Sequence, residues 1–289
     1  MFGQFIINGL INGVLYSILA IGFALVYNTT RIFHIAAAGI YVFAAYMFYL
    51  FAAVLNLPLL IASILAIVLT MALSQLTEKA VYRPLKLRKG SLNLAMIASV
   101  GIMTVIVNLM AMLFGNETKV VDNSIQQPLV LGDFVVTVPQ MWQLVVGSVL
   151  LLVFMFVLRW TNLGVRLRAL SADETLFVTL GYNLRRSRTA VFLVSGAFIA
   201  IASCLMVYDV GMAPTMGMTV LINAIVAMII GGSGRFGACL VGGLTLGVLQ
   251  SLTVYQFSSN WQNAVTFLVL LIFLFLRPQG IAGYKQRTV

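Results

Sequence analysis

The amino-acid sequence predicts an all-α integral membrane protein with about eight or nine transmembrane or half-spanning helices. Of its 289 residues, 62% are hydrophobic and 8% are charged, and the mean hydropathy is +1.07. A soluble domain has about 25% charged residues with which to cover its surface. The apolar runs are continuous over about 20 residues, the length of a membrane-spanning helix, whereas strands of a membrane barrel alternate over about 10.

Nine apolar segments follow one another along the chain, which is predicted to form a single transmembrane domain, 1–289. Their approximate boundaries are 5–27, 33–53, 57–79, 92–115, 140–159, 189–209, 218–232, 237–256 and 262–277. The first segment lacks the basic start and the cleavage site of a signal peptide, so it is predicted to be a retained span. Segment 33–53 opens with small residues and segment 218–232 ends in a glycine cluster, so either could be broken within the membrane.

The basic residues lie near the ends of the apolar segments and predict the orientation of the chain. If the loop 80–91 faces the cytoplasm, strict alternation of the spans places residues 159–188, Arg235 and the C-terminal tail on that same side. Lys119 alone falls on the other side. By the positive-inside rule, the N-terminus is expected outside and the C-terminus inside. The net charge of +10 is therefore attributed to span ends and not to nucleic-acid binding.

The longest outer loop, at about 116–139, is predicted to contain a short β-hairpin. Two runs rich in Val and Leu, 129–131 and 135–138, flank Gly132-Asp133, which is typical of a turn. A structured loop at this place would be a lid, a docking surface or a simple connection, and these alternatives stay open.

A polar island, residues 159–188, separates two long apolar runs. It contains eight charged residues: Arg159, Arg166, Arg168, Asp173, Glu174, Arg185, Arg186 and Arg188. The island predicts a short helix at about 171–181, in which Ser171 is the N-cap, the two acidic residues lie in the first turn and Gly181 ends the helix. A capped amphipathic helix on one face of a membrane protein indicates a docking element.

No catalytic, cofactor or metal site is expected in this chain. The glycine-rich segment 231–237 lacks the preceding strand and the following Lys-Ser/Thr of a phosphate-binding loop, so it is predicted to be a tight turn beside closely packed helices. Cys204 and Cys239 lie inside apolar runs and are predicted to be small core residues. His34 could relay protons or make an interfacial hydrogen bond. Pro84 is expected to end a helix.

Polar residues inside the spans are candidates for a translocation path. Asn8, Asn12 and Tyr16 are spaced four apart and share one helix face. Tyr41 and Asn223 complete the candidate set. The alternative role for the asparagines is hydrogen bonding between helices. The spans contain no acidic pair and no series of Lys or Arg, which argues against proton or sodium coupling and against a voltage sensor.

The ordered motifs resemble the permeases of branched-chain amino acid ABC transporters. They are GLINGVLYS at 9–17, AIGFALVY at 20–27, AVYRPL at 80–85, IASVG at 97–101, RLRA at 166–169, LGYN at 180–183, the glycine-rich run from 231 to 243, and RPQGI at 277–281. The family commonly has Asn-x-Ala-His-Gly-Glu before the tyrosine of the second segment. Here the His and Glu positions are Ala37 and Gly39, and this departure bears on the solute more than on the fold.

The resemblance implies a permease subunit of an ATP-driven importer in a bacterial cytoplasmic membrane, for branched-chain or other neutral amino acids. Expected partners are a second permease, identical or homologous, two cytoplasmic ATPases that bind ATP-Mg, an extracytoplasmic solute-binding protein and membrane lipids. The loop at about 160–188 would couple to the ATPases through Ala169, Ser171, Asp173, Glu174, Leu180 and Gly181. Two alternatives stay open: a permease for urea, amides or another small solute, and a self-sufficient secondary transporter or channel.

Overall fold

The computed structural model describes residues 2–121, 129–131, 134–232, 234–277 and 279–281. These residues form two compact units. Unit 1 is drawn from 1–24, 125–156 and 222–289, and unit 2 from 25–124 and 157–221. Each unit therefore combines helices that lie far apart in the sequence.

Nearly all of the described chain is helical. In chain order, the elements are α1 (Phe2–Thr30), α2 (Ala36–Tyr49), α3 (Leu59–Thr77), α4 (Arg83–Leu87), α5 (Leu92–Phe114), β1 (Leu129–Leu131), β2 (Phe134–Val136), α6 (Val138–Trp160), α7 (Asn162–Ala172), α8 (Glu174–Thr179), α9 (Leu184–Val210), α10 (Met216–Gly231), α11 (Ala238–Gln256) and α12 (Gln262–Leu276). Wide π-helical turns at Leu50–Val54 and Glu78–Tyr82 extend α2 and α3, and a 3₁₀ turn at Ser259–Trp261 precedes α12.

The described residues contain eight helical stretches that are long and apolar enough to cross a membrane. Segment 33–53 is realised as one continuous helix, Ala36–Val54, with no break at its small residues. Segment 218–232 is realised as α10, which has 16 residues. At 1.5 Å per residue α10 is about 24 Å long, less than the roughly 30 Å of a hydrocarbon core. The predicted all-α integral membrane fold is confirmed.

The expectation that Pro84 ends a helix is wrong. α3, the wide turn at Glu78–Tyr82 and α4 follow one another without a gap as far as Leu87. Pro84 lies in the first turn of α4. A proline is tolerated there because the N–H groups of a first turn have no partner within their own helix. The chain leaves the helical conformation near Lys89, whose φ is 52°.

In unit 1, α1 and α11 approach each other so closely that only glycine fits between them. A Cβ added to Gly243 would lie 2.4 Å from the Ser17 nitrogen, and one added to Gly247 would lie 2.4 Å from the Gly13 nitrogen. The Ser17 hydroxyl also donates to the Leu240 carbonyl at 3.0 Å. The predicted role of these glycines in close helix packing is confirmed.

In unit 2, α3 and α9 form a tightly packed pair. The Ser74 hydroxyl donates to the Phe192 carbonyl at 2.7 Å. A Cβ added to Gly196 would come within 2.8 Å of the Ser74 Cβ. α2 packs against α5 in a similar way, because a Cβ at Gly39 would lie 3.1 Å from the Met103 Cα.

The predicted β-hairpin is present as β1 paired antiparallel to β2. Leu129 pairs with Val136 and Leu131 with Phe134, while Gly132 and Asp133 lie outside the described residues. The amide of Gln4 on α1 makes two hydrogen bonds to the backbone of Val135. Its Nε2 donates to the Val135 carbonyl at 2.7 Å, and its Oε1 accepts from the Val135 N–H at 2.9 Å. The hairpin is thus held against the start of α1.

Candidate functional site

The polar island contains two short helices where a single one was predicted over 171–181. α7 begins after Thr161, whose Oγ1 accepts a hydrogen bond from the Gly164 N–H at 3.4 Å, and it ends at Ala172. The backbone is extended at Asp173, with φ −151° and ψ 118°, and the chain then continues as α8. The island therefore changes direction at Asp173.

Asp173 is the N-cap of α8, and the predicted Ser171 cap is wrong. Oδ1 of Asp173 accepts hydrogen bonds from the N–H groups of Thr175 at 2.7 Å and Leu176 at 3.2 Å. Hydrogen bonds from Leu176 and then Thr175 hold the pKa of the Asp173 carboxyl below its usual value. Ser171 still lies in the last turn of α7, where its hydroxyl donates to the Arg168 carbonyl at 2.9 Å.

Gly181 ends α8, as the sequence predicts. The N–H of Leu180 donates to the Leu176 carbonyl at 3.0 Å, and the N–H of Gly181 donates to the Val178 carbonyl at 2.9 Å. The φ of Gly181 is 84°, in the left-handed region. A residue with a side chain is disfavoured there by about 1–2 kcal/mol, so glycine suits this helix end.

Glu174 connects α8 to two other helices of unit 2. Its Oε1 accepts a hydrogen bond from Nζ of Lys86 on α4, and the two groups form an ion pair. Its Oε2 pairs with Nη2 of Arg188 on α9 at 3.0 Å. The Glu174 carboxylate, predicted to face the ATPase, is therefore already bound within the chain.

The remaining side chains of α8 divide between a buried face and an exposed face. Phe177 is 1% exposed and stacks on Tyr182, with ring centroids 4.9 Å apart. The Arg166 guanidinium lies over the Tyr182 ring, 5.5 Å from its centroid. Exposed apolar side chains lie elsewhere on α8 and at its end: Leu176, Val178 and Leu180. α8 is thus anchored through Phe177, with Leu176 and Val178 exposed on either side of it and the exposed Thr175 and Thr179 on the opposite face.

The last turn of α7 is tied both to α8 and to the residue after α1. The Ala169 carbonyl accepts the N–H of Asp173 at 3.2 Å. The Ser171 carbonyl accepts a hydrogen bond from Nη2 of Arg31 at 3.2 Å. The predicted coupling residues Ala169 and Ser171 therefore lie beside α8. Their backbone carbonyls accept the two hydrogen bonds described above.

Three of the predicted path residues lie along α1 in unit 1. Asn12 is exposed, Asn8 is half-buried and Tyr16 is buried. The Asn8 Oδ1 accepts a hydrogen bond from Nε2 of Gln4 at 3.2 Å. The common helix face predicted from their spacing is present, and Asn12 is its most exposed member.

Asn223 and Tyr41 are both buried, and each has a contact between helices of its own unit. The Asn223 Oδ1 accepts a hydrogen bond from Nε2 of Gln250 at 3.1 Å, and the same Nε2 lies 2.6 Å from the Thr266 hydroxyl. In unit 2, the carbonyl of Tyr41 accepts a hydrogen bond from Ser203 at 2.9 Å. The contact of Asn223 joins α10, α11 and α12, the alternative role considered for the asparagines.

His34 belongs to a buried hydrogen-bond chain in unit 2. Its Nδ1 lies 2.8 Å from the Tyr82 hydroxyl, which donates to the Ser99 hydroxyl at 2.9 Å. Ser99 in turn accepts the N–H of Ala36 at 2.8 Å. This arrangement favours a hydrogen-bonding role over a proton relay.

Several contacts of the site have no signal in the sequence. Lys86 and Glu174 are 88 residues apart, and Gln250 and Asn223 are 27 apart. Only the helical registers of the folded chain bring such pairs together. Within the described part of the chain, no three His, Cys, Asp or Glu side chains are grouped so that they could hold a metal ion.

A family model for the permease component of the branched-chain amino acid transport system matches residues 5–274. The chain belongs to this family. The permease is 26% identical to BraD, a high-affinity branched-chain amino acid transport system permease protein of Pseudomonas aeruginosa, over 98% of this chain and 96% of BraD. It is also 26% identical to LivH of Escherichia coli strain K12, a permease protein of the same description, over 99% of this chain and 96% of LivH.

A solved structure extends the comparison to the fold of the permease. PsaBC from Streptococcus pneumoniae in complex with Fab aligns with a TM-score of 0.54 and 17% identity, over 94% of this chain and 91% of that chain. Family membership confirms the resemblance found in the motifs and the assignment to membrane transport. The coupling and path residues stay predictions, because the similarity does not test them one by one.

Proposed function

We propose that this permease is the membrane subunit of an ATP-driven importer for branched-chain or other hydrophobic or neutral amino acids. The observation that carries the proposal is the family match over residues 5–274, and near-full-length similarity to BraD and LivH supports it. A second permease, two cytoplasmic ATPases and an extracytoplasmic solute-binding protein would complete the importer. ATP-Mg would bind to the ATPases, because the sequence of this chain has no Walker-type loop.

The ATPases would act on α8. Leu176 is 62% exposed, Val178 49% and Leu180 70%, so α8 offers them an apolar contact surface. ATP-driven closure of the ATPases would displace this helix and shift the permease between two states, open to opposite sides of the membrane. Arg185 and Arg186 are exposed beside it and would meet lipid headgroups or acidic groups of the ATPases.

The polar face of α1 would line the path of the solute. Asn12 is exposed and Asn8 is half-buried. Amide groups can donate to a carboxylate and accept from an ammonium group, so they suit a zwitterionic amino acid without introducing a fixed charge. Lipid tails cannot solvate an exposed amide, and this also favours a path or a subunit interface at Asn12.

The proposed location is a bacterial cytoplasmic membrane, with the polar island on the cytoplasmic side. The proposal is supported by the distribution of Lys and Arg, which are concentrated in the connections on one predicted side of the membrane, with Lys119 alone on the other. The N-terminus would then be outside and the C-terminus inside.

The test is uptake by the assembled complex in liposomes. Radiolabelled leucine is supplied outside with the binding protein, and ATP or a non-hydrolysable analogue is present on the ATPase side. Leucine is expected to accumulate only with ATP, and excess isoleucine or valine should compete. ATP-dependent uptake of radiolabelled urea or a small amide, with no leucine uptake, would identify the alternative solute class. Leucine transport by this chain alone would instead support a self-sufficient transporter or channel.

A further inference from the structure

We propose that Glu174 is a positioning residue that ties α8 to α4 and α9, so that a displacement of α8 moves those two helices with it. The inference rests on the proposed function, since it requires an ATPase that acts on α8. It changes the predicted role of Glu174 from a contact with the ATPase to a link inside the permease. The described contacts of unit 2 carry the argument.

A single carboxylate makes the link. Oε1 of Glu174 binds Nζ of Lys86, and Oε2 binds Nη2 of Arg188 at 3.0 Å. The two oxygens thus have different partners on different helices. A contact with only one helix would tie α8 to that helix alone, whereas these two contacts restrain its movement relative to both α4 and α9.

The two cations belong to helical segments that are linked by close packing. Lys86 on α4 continues the helical path of α3, and Arg188 lies in the first turns of α9. α3 and α9 are locked together by the Ser74 to Phe192 hydrogen bond and by the close approach at Gly196. A force on α8 therefore reaches a rigid two-helix element through Glu174.

The exposure of the three side chains indicates how firmly each pair is held. The Arg188 side chain is 12% exposed, compared with 43% for Lys86 and 37% for Glu174. Removing the partner of a mostly buried cation is costly, whereas an exposed ion pair contributes little. The link to α9 is therefore the stronger one, and the link to α4 is the one that can be tested without unfolding the chain.

The neighbouring acidic residue, Asp173, has a different role, so the link to other helices is specific to Glu174. Asp173 accepts the N–H groups of Thr175 and Leu176 and so stabilises the start of its own helix. The side chains that α8 leaves exposed for the ATPase are uncharged: Thr175, Leu176, Val178 and Thr179. Glu174 is consequently the acidic residue of α8 that reaches other helices.

The experiment is a double-mutant cycle in the reconstituted complex, with solute transported per ATP hydrolysed as the readout. The variants are Glu174→Gln, which breaks both links, Lys86→Gln, which breaks only the link to α4, and the double variant. The matched control is Lys79→Gln, since Lys79 is an exposed lysine on the wide turn just before α4. Assembly of each complex is checked by co-purification of the ATPases.

We expect Glu174→Gln to lower the transport-to-ATP ratio about fivefold, within the usual range of coupling energies, and Lys86→Gln to lower it less because the Arg188 pair remains. The double variant should be no worse than Glu174→Gln, and Lys79→Gln should leave the ratio unchanged. Additive losses in the double variant, or full coupling in Glu174→Gln, would overturn the inference. Absence of ATP-dependent uptake in the unaltered complex would instead contradict the proposed function itself.

Discussion

Asp173 and Glu174 are adjacent, yet their carboxylates have unrelated partners. The first binds backbone amides of α8, and the second binds the cations Lys86 and Arg188. The other exposed side chains of α8 are uncharged: Thr175, Leu176, Val178 and Thr179. A contact through these side chains is weakened little by salt, because ionic screening acts on charges and not on apolar burial.

At Gly181, we predict that Gly181→Ala weakens the end of α8 while Gly181→Asn is better tolerated. The φ of 84° disfavours alanine by about 1–2 kcal/mol, and asparagine enters this region more readily. No atom lies within 4 Å of a Cβ added here, so the effect comes from the backbone alone. The measurement is hydrogen exchange of the peptide that covers α8.

We expect amide exchange to be faster in Gly181→Ala than in Gly181→Asn. We expect solute uptake to be lower in Gly181→Ala than in Gly181→Asn. Equal exchange in both variants and in the unaltered permease would show that the left-handed conformation does not limit the stability of α8.

Gly39, one of the two positions that depart from the family motif, lies where α2 packs closely against α5. The family commonly has glutamate at this position, yet here the backbone of α2 lies so close to α5 that a Cβ added to Gly39 would be 3.1 Å from the Met103 Cα. Ala37, at the histidine position, is 4% exposed. Both positions are used for packing, and a longer polar side chain would force the two helices apart.

At the scale of elements, the hairpin depends on one side chain of α1. Gln4 gives Val135 both a donor and an acceptor, as a neighbouring strand would. A two-stranded hairpin by itself is marginally stable in water, so this third element supplies support that the strands lack.

We predict that Gln4→Glu loosens the hairpin although the two side chains have nearly the same size. Glutamate keeps an acceptor for the Val135 N–H but loses the donor to the Val135 carbonyl, and it also loses the donor to Oδ1 of Asn8 within α1. The loss of one hydrogen bond, worth about 1 kcal/mol, should speed amide exchange in β2 about fivefold. The matched control is Gln256→Glu, at an exposed glutamine that ends α11. Unchanged exchange in Gln4→Glu would mean that the strands hold themselves together.

The elements that the sequence predicted well are those with a strong local signal. Long apolar runs located the spans, and two Val-rich runs around Gly132-Asp133 located the hairpin strands. The continuation past Pro84 was not predictable, because it depends on a wide turn that has no compositional signature. The break at Asp173 was missed for a related reason: Ser171 and Asp173 are both good caps, and only the backbone conformation decides between them.

At the scale of the whole chain, the asymmetry of basic residues predicts its orientation in the membrane. We expect a membrane-impermeant maleimide to label Glu117→Cys in intact cells and to label Arg88→Cys only after permeabilisation, since both positions are exposed. The unaltered chain is the control, because Cys204 and Cys239 are buried. The opposite labelling pattern would reverse the proposed orientation.

Contacts between residues that are far apart in the sequence could not be predicted from it. Sequence patterns identified the polar island and its two acidic residues. They did not pair Glu174 with Lys86, or Gln250 with Asn223 and Thr266, because such pairing requires the relative rotation of packed helices. Local periodicity carries no information about that rotation.

The exposed amide of Asn12 has a consequence for the life of the protein in the cell. Asn12 is about 15 Å along α1 from its first residue, so it lies well inside the bilayer if α1 spans it. A solitary copy would turn this group toward hydrocarbon, at a cost that an assembled complex avoids. Surplus copies made without a companion would then be less stable than assembled ones, and we expect proteolysis to hold the abundance of the permease to that of its companion.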